Sequence, residues 1–339
     1  MSGAPAGQFN LSDDGTCRLG SGRENVNALL GPLQDNGGLT PTHMPQPGSP
    51  AIDNGTSSDA PFRDQRSYFR AGAAPDVGAV EFDGIFPSTL ANISTRVRVE
   101  TGDNALIGGF IVTGDQPRRL IARAIGPSLG FAGTLADPQL ALYNAAGELL
   151  ASNNNWQEAP NRQEIVDSTV APSHQAESAI LGSLAPGAYT AIVSGVNDGT
   201  GIALVELYDL DRPSGSKLGN ISSRGVVQTG DDVMIGGFIV RGPDQQRVII
   251  RAIGPSLPVA GALADPTLEV YDSNGLLRDN NNDWRKGDEG GVIATTIPPT
   301  NDLESATVLF LSPGAYTAIV RGVGDTTGVG LVEVYALEN

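Results

Sequence analysis

Between residues 90 and 339 the hydrophobic positions follow a period of two or form short apolar runs, without a sustained helical stripe. In the first half of this region the pattern predicts eight strands, separated by turns rich in Gly, Pro, Asn and Asp. One short polar segment, Pro160 to Thr169, is a helical candidate. The strands are predicted at 93–100, 105–113, 118–125, 139–144, 148–153, 177–184, 188–196 and 201–209. Strands at this spacing are typical of a β-sandwich or jelly roll.

The same region contains an internal repeat, which is the strongest single signal in the chain. Asn-Ile-Ser-Thr-Arg at 92–96 recurs as Asn-Ile-Ser-Ser-Arg at 220–224. Further segments match in the same order: 108–112 with 236–240, 123–129 with 251–257, 186–193 with 313–320, and 205–208 with 332–335. The sequence therefore predicts two β-sandwich domains in tandem, 90–211 and 218–339, with a polar linker at 210–217. Residues 1–83 match neither copy.

Both copies carry a Gly-Ala-Tyr-Thr-Ala-Ile-Val strand, at 187–193 and 314–320, and a hairpin that begins Leu-Tyr-Asn or Val-Tyr-Asp, at 142–144 and 270–272. With these residues they resemble a tandem repeat of secreted and surface proteins of environmental bacteria. They are similar, more distantly, to the pre-peptidase C-terminal jelly-roll domains. The resemblance covers about residues 90–338 and implies a non-catalytic appendage.

The N-terminal segment has a different signature. Residues 29–53 end in Pro-Gly-Ser-Pro-Ala-Ile-Asp, 64–66 read Asp-Gln-Arg, and 74–81 read Ala-Pro-Asp-Val-Gly-Ala-Val-Glu. This series resembles the C-terminal end of the right-handed parallel β-helix, pectate-lyase-like, in bacterial surface proteins of the choice-of-anchor type. The resemblance implies that residues 1–83 close a solenoid. Because a solenoid coil buries its apolar face only against its neighbours, we expect another chain or further coils to cover this segment.

Composition narrows the function classes. The net charge is −17, from 38 acidic and 21 basic residues, so binding to a nucleic-acid backbone is excluded. No apolar run is long enough to span a membrane as a helix. The single Cys17 rules out an internal disulfide framework, and two histidines make a His-rich metal site a poor hypothesis. The first residues show neither the basic nor the apolar region of a signal peptide. The resemblances nevertheless indicate an extracellular or cell-surface protein.

The sequence offers two catalytic hypotheses. Gly-Pro-Ser-Leu-Gly at 126–130 fits the Gly-x-Ser-x-Gly pattern of hydrolases, but the second copy reads Gly-Pro-Ser-Leu-Pro at 254–258. A tight turn at a strand end therefore explains it better. Polysaccharide lyase chemistry would need Asp53, Asp64 or Asp76 beside Arg66, and each of these aspartates lies in a turn where Asp commonly binds backbone amides. The sequence favours a protein that is not an enzyme.

Two ligand hypotheses remain open at this stage. The second copy crowds oxygen-bearing side chains into one hairpin, which suits calcium as well as plain Asx turns; they are Asp272, Asn274, Asp279, Asn281 and Asp283. Trp156 and Trp284 occupy equivalent positions, and they suit either packing over a sandwich end or stacking on a sugar. Calcium is the only cofactor candidate, and glycans are the small-ligand candidates.

Buried charges are expected to pair inside each copy. Arg123 and Arg251 lie within apolar strands, and glutamates recur at equivalent positions, as Glu177 and Glu206 and as Glu304 and Glu333. A desolvated arginine needs a carboxylate, so we expect one structural ion pair in each copy.

These observations predict an all-β, non-enzymatic structural or adhesive protein at the cell surface or in the extracellular matrix. It is expected to form oligomers or filaments, through residues 1–83 or through a longer β-helix partner. The alternatives are a carbohydrate-binding accessory protein and a fragment of a secreted polysaccharide lyase.

Overall fold

A computed structural model describes residues 10–17, 19, 23–37, 40–58, 60–66, 68–84, 89–211 and 217–337. It divides into two compact units. The first contains residues 1–87 and 212–215, and the second contains residues 88–211 and 216–339. Within the described residues the protein is all-β, with two α-helices of six residues each. The all-β prediction is therefore confirmed.

The first unit contains one antiparallel strand pair, β1 (Leu30–Gln34) and β2 (Thr42–Pro45). The rest of its described chain consists of turns, bends and loops. The parallel β-helix coils implied by the resemblance are not shown among these residues. Several of their backbone amides bind side-chain carboxylates, as described below.

The second unit contains both repeats, each with eight strands and one short helix. The helices are α1 (Arg162–Asp167) and α2 (Glu289–Ala294), close to the centre of the predicted helical segment and at its equivalent in repeat 2. In repeat 1 the strands are β3 (Thr89–Val99), β4 (Leu106–Thr113), β5 (Arg118–Ile125), β6 (Pro138–Asn144), β7 (Leu149–Asn153), β8 (Ser178–Leu184), β9 (Gly187–Gly195) and β10 (Gly201–Asp209). In repeat 2 they are β11 (Lys217–Val227), β12 (Met234–Arg241), β13 (Gln246–Ile253), β14 (Pro266–Asp272), β15 (Leu277–Asn281), β16 (Ser305–Leu311), β17 (Gly314–Gly322) and β18 (Gly328–Ala336).

The strands of the two repeats pair with each other, and this is the main departure from the tandem arrangement. One antiparallel set runs β8-β5-β10-β3 in repeat 1 and continues as β12-β17-β14-β15 in repeat 2. The other runs β16-β13-β18-β11 in repeat 2 and continues as β4-β9-β6-β7 in repeat 1. Each repeat thus contributes four strands to each set, which we call sheets I and II. A short parallel contact between β3 and β11 links the two sheets.

The apolar core is shared in the same way. One buried cluster includes Leu106 and Leu140 of repeat 1 together with Leu218 and Leu268 of repeat 2. The sequence had led to the expectation that a piece spanning residues 90–211 would fold alone around a private core. In the structure β3 and β4 instead complete sheets that repeat 2 continues, so the core of this piece is shared and its independent folding stays a prediction.

Glycines permit the close approach of strands across the two repeats. A Cβ atom on Gly109 in β4 would lie 2.6 Å from the hydroxyl of Ser222 in β11. The equivalent Gly237 in β12 would place a Cβ atom 2.6 Å from the hydroxyl of Ser94 in β3. Glycine inside a strand often marks such a close contact. The second glycine of the pair repeated at 108–109 and 236–237 therefore lies at the contact between the strands of the two repeats, which we call the joint.

Candidate functional site

The serine of the Gly-x-Ser-x-Gly segment holds a turn together. Ser128 donates its hydroxyl to the fully buried Glu177. The same carboxylate accepts the amides of Gly126 at 3.1 Å and Ser128 at 2.9 Å. Glu304 binds Ser256 identically in repeat 2, where Asn301 replaces His174 as a further amide donor. The arrangement recurs without a histidine, so it organises the turn after β5 and β13.

The predicted ion pair is present in each repeat, and the second glutamate of each set is the partner. Arg251 donates through Nε to Glu333 at 3.0 Å, and its Nη1 donates to the carbonyl of Ile297 at 2.7 Å. Tyr335 donates its hydroxyl to the same glutamate at 3.0 Å. Burial and the nearby glutamate charge raise the pKa of Tyr335 to about 12.

Repeat 1 carries the equivalent cluster. Arg123 pairs with Glu206, and Tyr208 donates its hydroxyl to that glutamate at 2.8 Å. Burial, followed by the glutamate charge, raises the pKa of Tyr208 to about 12. A buried charge pair that is also bound by a phenol and a backbone carbonyl is typical of fold specification.

The two tryptophans are packing residues. Trp156 is 7% exposed and Trp284 is 2% exposed, in small apolar clusters against α1 and α2. Each indole Nε1 donates to a backbone carbonyl at 3.1 Å, that of His174 in repeat 1 and that of Asn301 in repeat 2. The guanidinium of Arg285 lies 4.1 Å from the centre of the Trp284 ring. Sugar stacking needs an exposed ring face, which neither tryptophan offers.

The oxygen-rich hairpin of repeat 2 uses its candidate ligands in turns. Asp272 accepts the amides of Asn274 at 2.9 Å and Leu276 at 3.1 Å. Asp279 accepts the amide of Asn280 and the hydroxyl of Thr307.

Asn281 and Asp283 are also bound by protein groups. The side-chain oxygen of Asn281 accepts the amide of Ala306 at 3.0 Å, and Asp283 pairs with Lys286. Within the part of the chain that the structure describes, no group of three or more His, Cys, Asp or Glu residues is placed to hold a metal. The geometry favours Asx turns over a calcium site.

In the first unit the carboxylates also bind the backbone. Asp64 accepts the amides of Arg66 at 2.8 Å and Glu81 at 3.0 Å, and it forms a buried ion pair with Arg66. Glu81 accepts the amide of Asp76 and pairs with Arg70, both at 2.9 Å. These contacts explain the spaced Asp-Gln-Arg and Pro-Asp-Val-Gly-Ala-Val-Glu motifs as the polar core of a loop-rich unit.

Asp53 and Asp76 have the same role. The Asp53 carboxylate accepts the amides of Ala73 at 2.8 Å and Ala74 at 3.2 Å. Asp76 in turn accepts the amides of Asp53 and Phe82. The aspartates considered for lyase chemistry are therefore engaged with main-chain donors.

A feature that the sequence reasoning missed lies where the sheets end in repeat 1. A narrow apolar pocket opens between the sheets there, lined by Leu142 of sheet II and by Ala122, Ile180, Gly182 and Leu184 of sheet I, among others. In repeat 2 the residues equivalent to Ala122 and Gly182 are Ile250 and Leu309, both of which contribute to the packed core. Comparing the two copies position by position would have revealed this difference.

Comparisons with known proteins add only distant likenesses. No family model matches the chain, and no curated protein matches it. A solved structure described as the STIV MCP has 10% identity and a TM-score of 0.20, over 74% of this chain and 96% of that one. A DUF4785 family protein from Legionella pneumophila has 10% identity and a TM-score of 0.22, over 75% of this chain and 84% of the other. TM-scores this low carry no functional conclusion.

Proposed function

We propose that this protein is a non-enzymatic structural or adhesive component outside the cell, which assembles with copies of itself. The observation that carries the proposal is the joint between the repeats. To separate them, the ladders between β3 and β12 and between β4 and β11 must break together with the shared core. Such a joint suits a spacer or fibre subunit, because cooperative rupture of many contacts resists tension.

The contacts of their key residues support neither of the two alternatives. Carbohydrate binding relied on Trp156 and Trp284, which are buried. Lyase chemistry relied on carboxylates of the first unit, which bind backbone amides. Among the described residues, no helix is both long enough and apolar enough to cross a membrane.

Self-assembly is tested by light scattering on the full chain and on a variant that lacks residues 1–83, across a range of salt and calcium concentrations. The expected result is a mass above that of the 35.0 kDa chain for the full protein. A loss of mass on deletion would assign assembly to the N-terminal segment, as its resemblance to a solenoid end implies. A monodisperse monomer for the full chain under all conditions would refute the proposed self-assembly.

A further inference from the structure

The two ends of the long sandwich differ. At the repeat-1 end, sheets I and II finish in the edge strands β8 and β7, and at the repeat-2 end they finish in β15 and β16. An edge strand presents unpaired backbone groups, and soluble proteins usually protect it with charges, prolines or bulges. Because the repeats are equivalent, each residue of one end can be compared with its counterpart at the other end.

The repeat-2 end is protected. In β15 the Asp279 carboxylate accepts the amide of Asn280 at 2.9 Å, so it caps a backbone donor of its own edge strand. Its second oxygen accepts the hydroxyl of Thr307 in β16, and this bond links the two edge strands. Arg278 adds a further charge to β15, with 44% of its side chain exposed. Leu309 in β16 packs against the apolar core.

The repeat-1 end lacks each of these devices. The residues equivalent to Arg278 and Asp279 are Leu150 and Ala151, and alanine has no side-chain acceptor for the next amide. The residue equivalent to Thr307 is Ile180, so no polar link joins β7 to β8 at this position.

The edge strands of the repeat-1 end are also uncharged and partly apolar. β7 reads Leu-Leu-Ala-Ser-Asn and β8 reads Ser-Ala-Ile-Leu-Gly-Ser-Leu. Leu149 is 56% exposed and Leu150 is 46% exposed. The apolar pocket beside Gly182 lies between the sheets at this same end. An exposed and uncharged edge strand is the kind of strand that templates pairing with another chain.

We propose that the repeat-1 end docks a second copy of this chain, with β7 of one copy pairing with β7 of the other. This inference rests on the proposed function and names its partner. Two observations favour a second copy as the occupant. Surfaces of a chain with a net charge of −17 repel one another, and this repulsion is smallest along strands without charged side chains, such as β7 and β8. The contact would also continue the sheets edge to edge, as the joint between the repeats already does.

The test transplants the protection of repeat 2 onto repeat 1 in the full-length protein. Ala151→Asp introduces the aspartate that repeat 2 carries at this position, and Leu150→Arg introduces its arginine. Both variants are expected to reduce the mean assembly mass at least two-fold, measured by sedimentation velocity. Ala145→Asp adds the same charge in the exposed turn of the same hairpin, off the edge strand, and is expected to leave the mass unchanged.

The reverse substitution provides a gain of function. Asp279→Ala removes the cap from β15 and is expected to increase the mass by exposing a second edge. Circular dichroism and the denaturation midpoint establish that each variant is folded.

Assembly that persists unchanged in Ala151→Asp and Leu150→Arg would overturn the inference and leave the proposed self-assembly intact, with residues 1–83 or another partner surface responsible. A wild-type chain that is monomeric at high micromolar concentration would overturn both. Loss of assembly in Ala145→Asp to the same extent would also overturn the inference, because charge alone would then explain the effect.

Discussion

Val97 and Gly225 provide the most direct test of how the repeats are joined. They occupy equivalent positions in β3 and β11, and the structure brings them together. A Cβ atom on Gly225 would lie 2.6 Å from one Val97 methyl carbon, 3.2 Å from the other and 3.4 Å from its Cβ atom. Because valine is branched at Cβ, rotating its side chain cannot clear this space. Two valines therefore do not fit at the joint.

The burial of Val97 and the close approach of Gly225 determine how much each substitution should change the free energy of unfolding. Val97 is 1% exposed, so Val97→Gly should lower the free energy of unfolding by about 3 kcal/mol, from lost burial and added backbone entropy. Gly225→Val should cost about 2 kcal/mol through overpacking. The exchanged pair, Val97→Gly with Gly225→Val, moves one side chain across the joint and should cost about 2 kcal/mol or less. The coupling energy is then about 3 kcal/mol, at the upper end for residues in contact.

Urea denaturation of the four proteins, followed by circular dichroism, measures this cycle. Val99 is a matched control, since it is also a buried valine on β3 but is not among the three nearest atoms to the Gly225 position. Val99→Gly combined with Gly225→Val should give additive costs. Additive costs for the Val97 pair as well would refute the reasoning, because the two residues would not be in contact and the repeats would not share this joint.

Three further outcomes are expected. Gly182→Ala should raise the free energy of unfolding by about 0.5–1 kcal/mol, because its Cβ atom would meet open space. Leu309→Ala at the equivalent, partly buried position should lower it by about 1–2 kcal/mol, and urea denaturation measures both effects. The raised pKa of Tyr208 and Tyr335, to about 12 each, contributes stability that is complete below pH 10 and is lost as the pH rises towards 12. A variant in which both tyrosines are replaced by phenylalanine should therefore lose less stability between pH 10 and pH 12, as measured by denaturation at each pH. Chelation with EDTA should leave the melting temperature unchanged in calorimetry, because the candidate calcium ligands are bound by protein groups, and a fall would restore the calcium hypothesis.

The sequence was a good guide to the strands themselves. Alternating apolar positions and turn residues placed all eight strands of repeat 1 within a few residues of their bounds, since burial of one face imposes a period of two. Strand pairing was not predictable in the same way, because periodicity says which face is buried and nothing about which distant strand lies beside it. One sequence feature did indicate a close contact between strands, the glycine pair repeated at 108–109 and 236–237. A glycine within a strand does not, however, identify which strand lies beside it.

The sequence indicated which side chains would make polar contacts, but it was a weaker guide to the role of each side chain. The Arg–Glu pairs were predictable, because a charge inside an apolar strand requires a partner. The choice between Glu177 and Glu206 as the partner of Arg123 depends on which strands are neighbours, and β10 lies beside β5. Tryptophan and clustered aspartates fit either a ligand or the fold, and burial and hydrogen bonding decide between these roles only in the folded chain.

Some differences between the two copies are required by contact between the copies, and others are not. Differences of the second kind are relevant to assembly. Val97 and Gly225 face each other across the joint, so steric exclusion requires them to differ and their difference needs no outside partner. Gly182 and Leu309, by contrast, lie at opposite ends of the sandwich, where no contact between the copies forces one to be small. A Cβ atom on Gly182 would meet nothing within 4 Å, so no steric contact in the folded chain requires a glycine there. The fold does not require Gly182, and the edge strands β7 and β8 at the same end carry no charge. A partner that binds at this end explains both features better than the fold does.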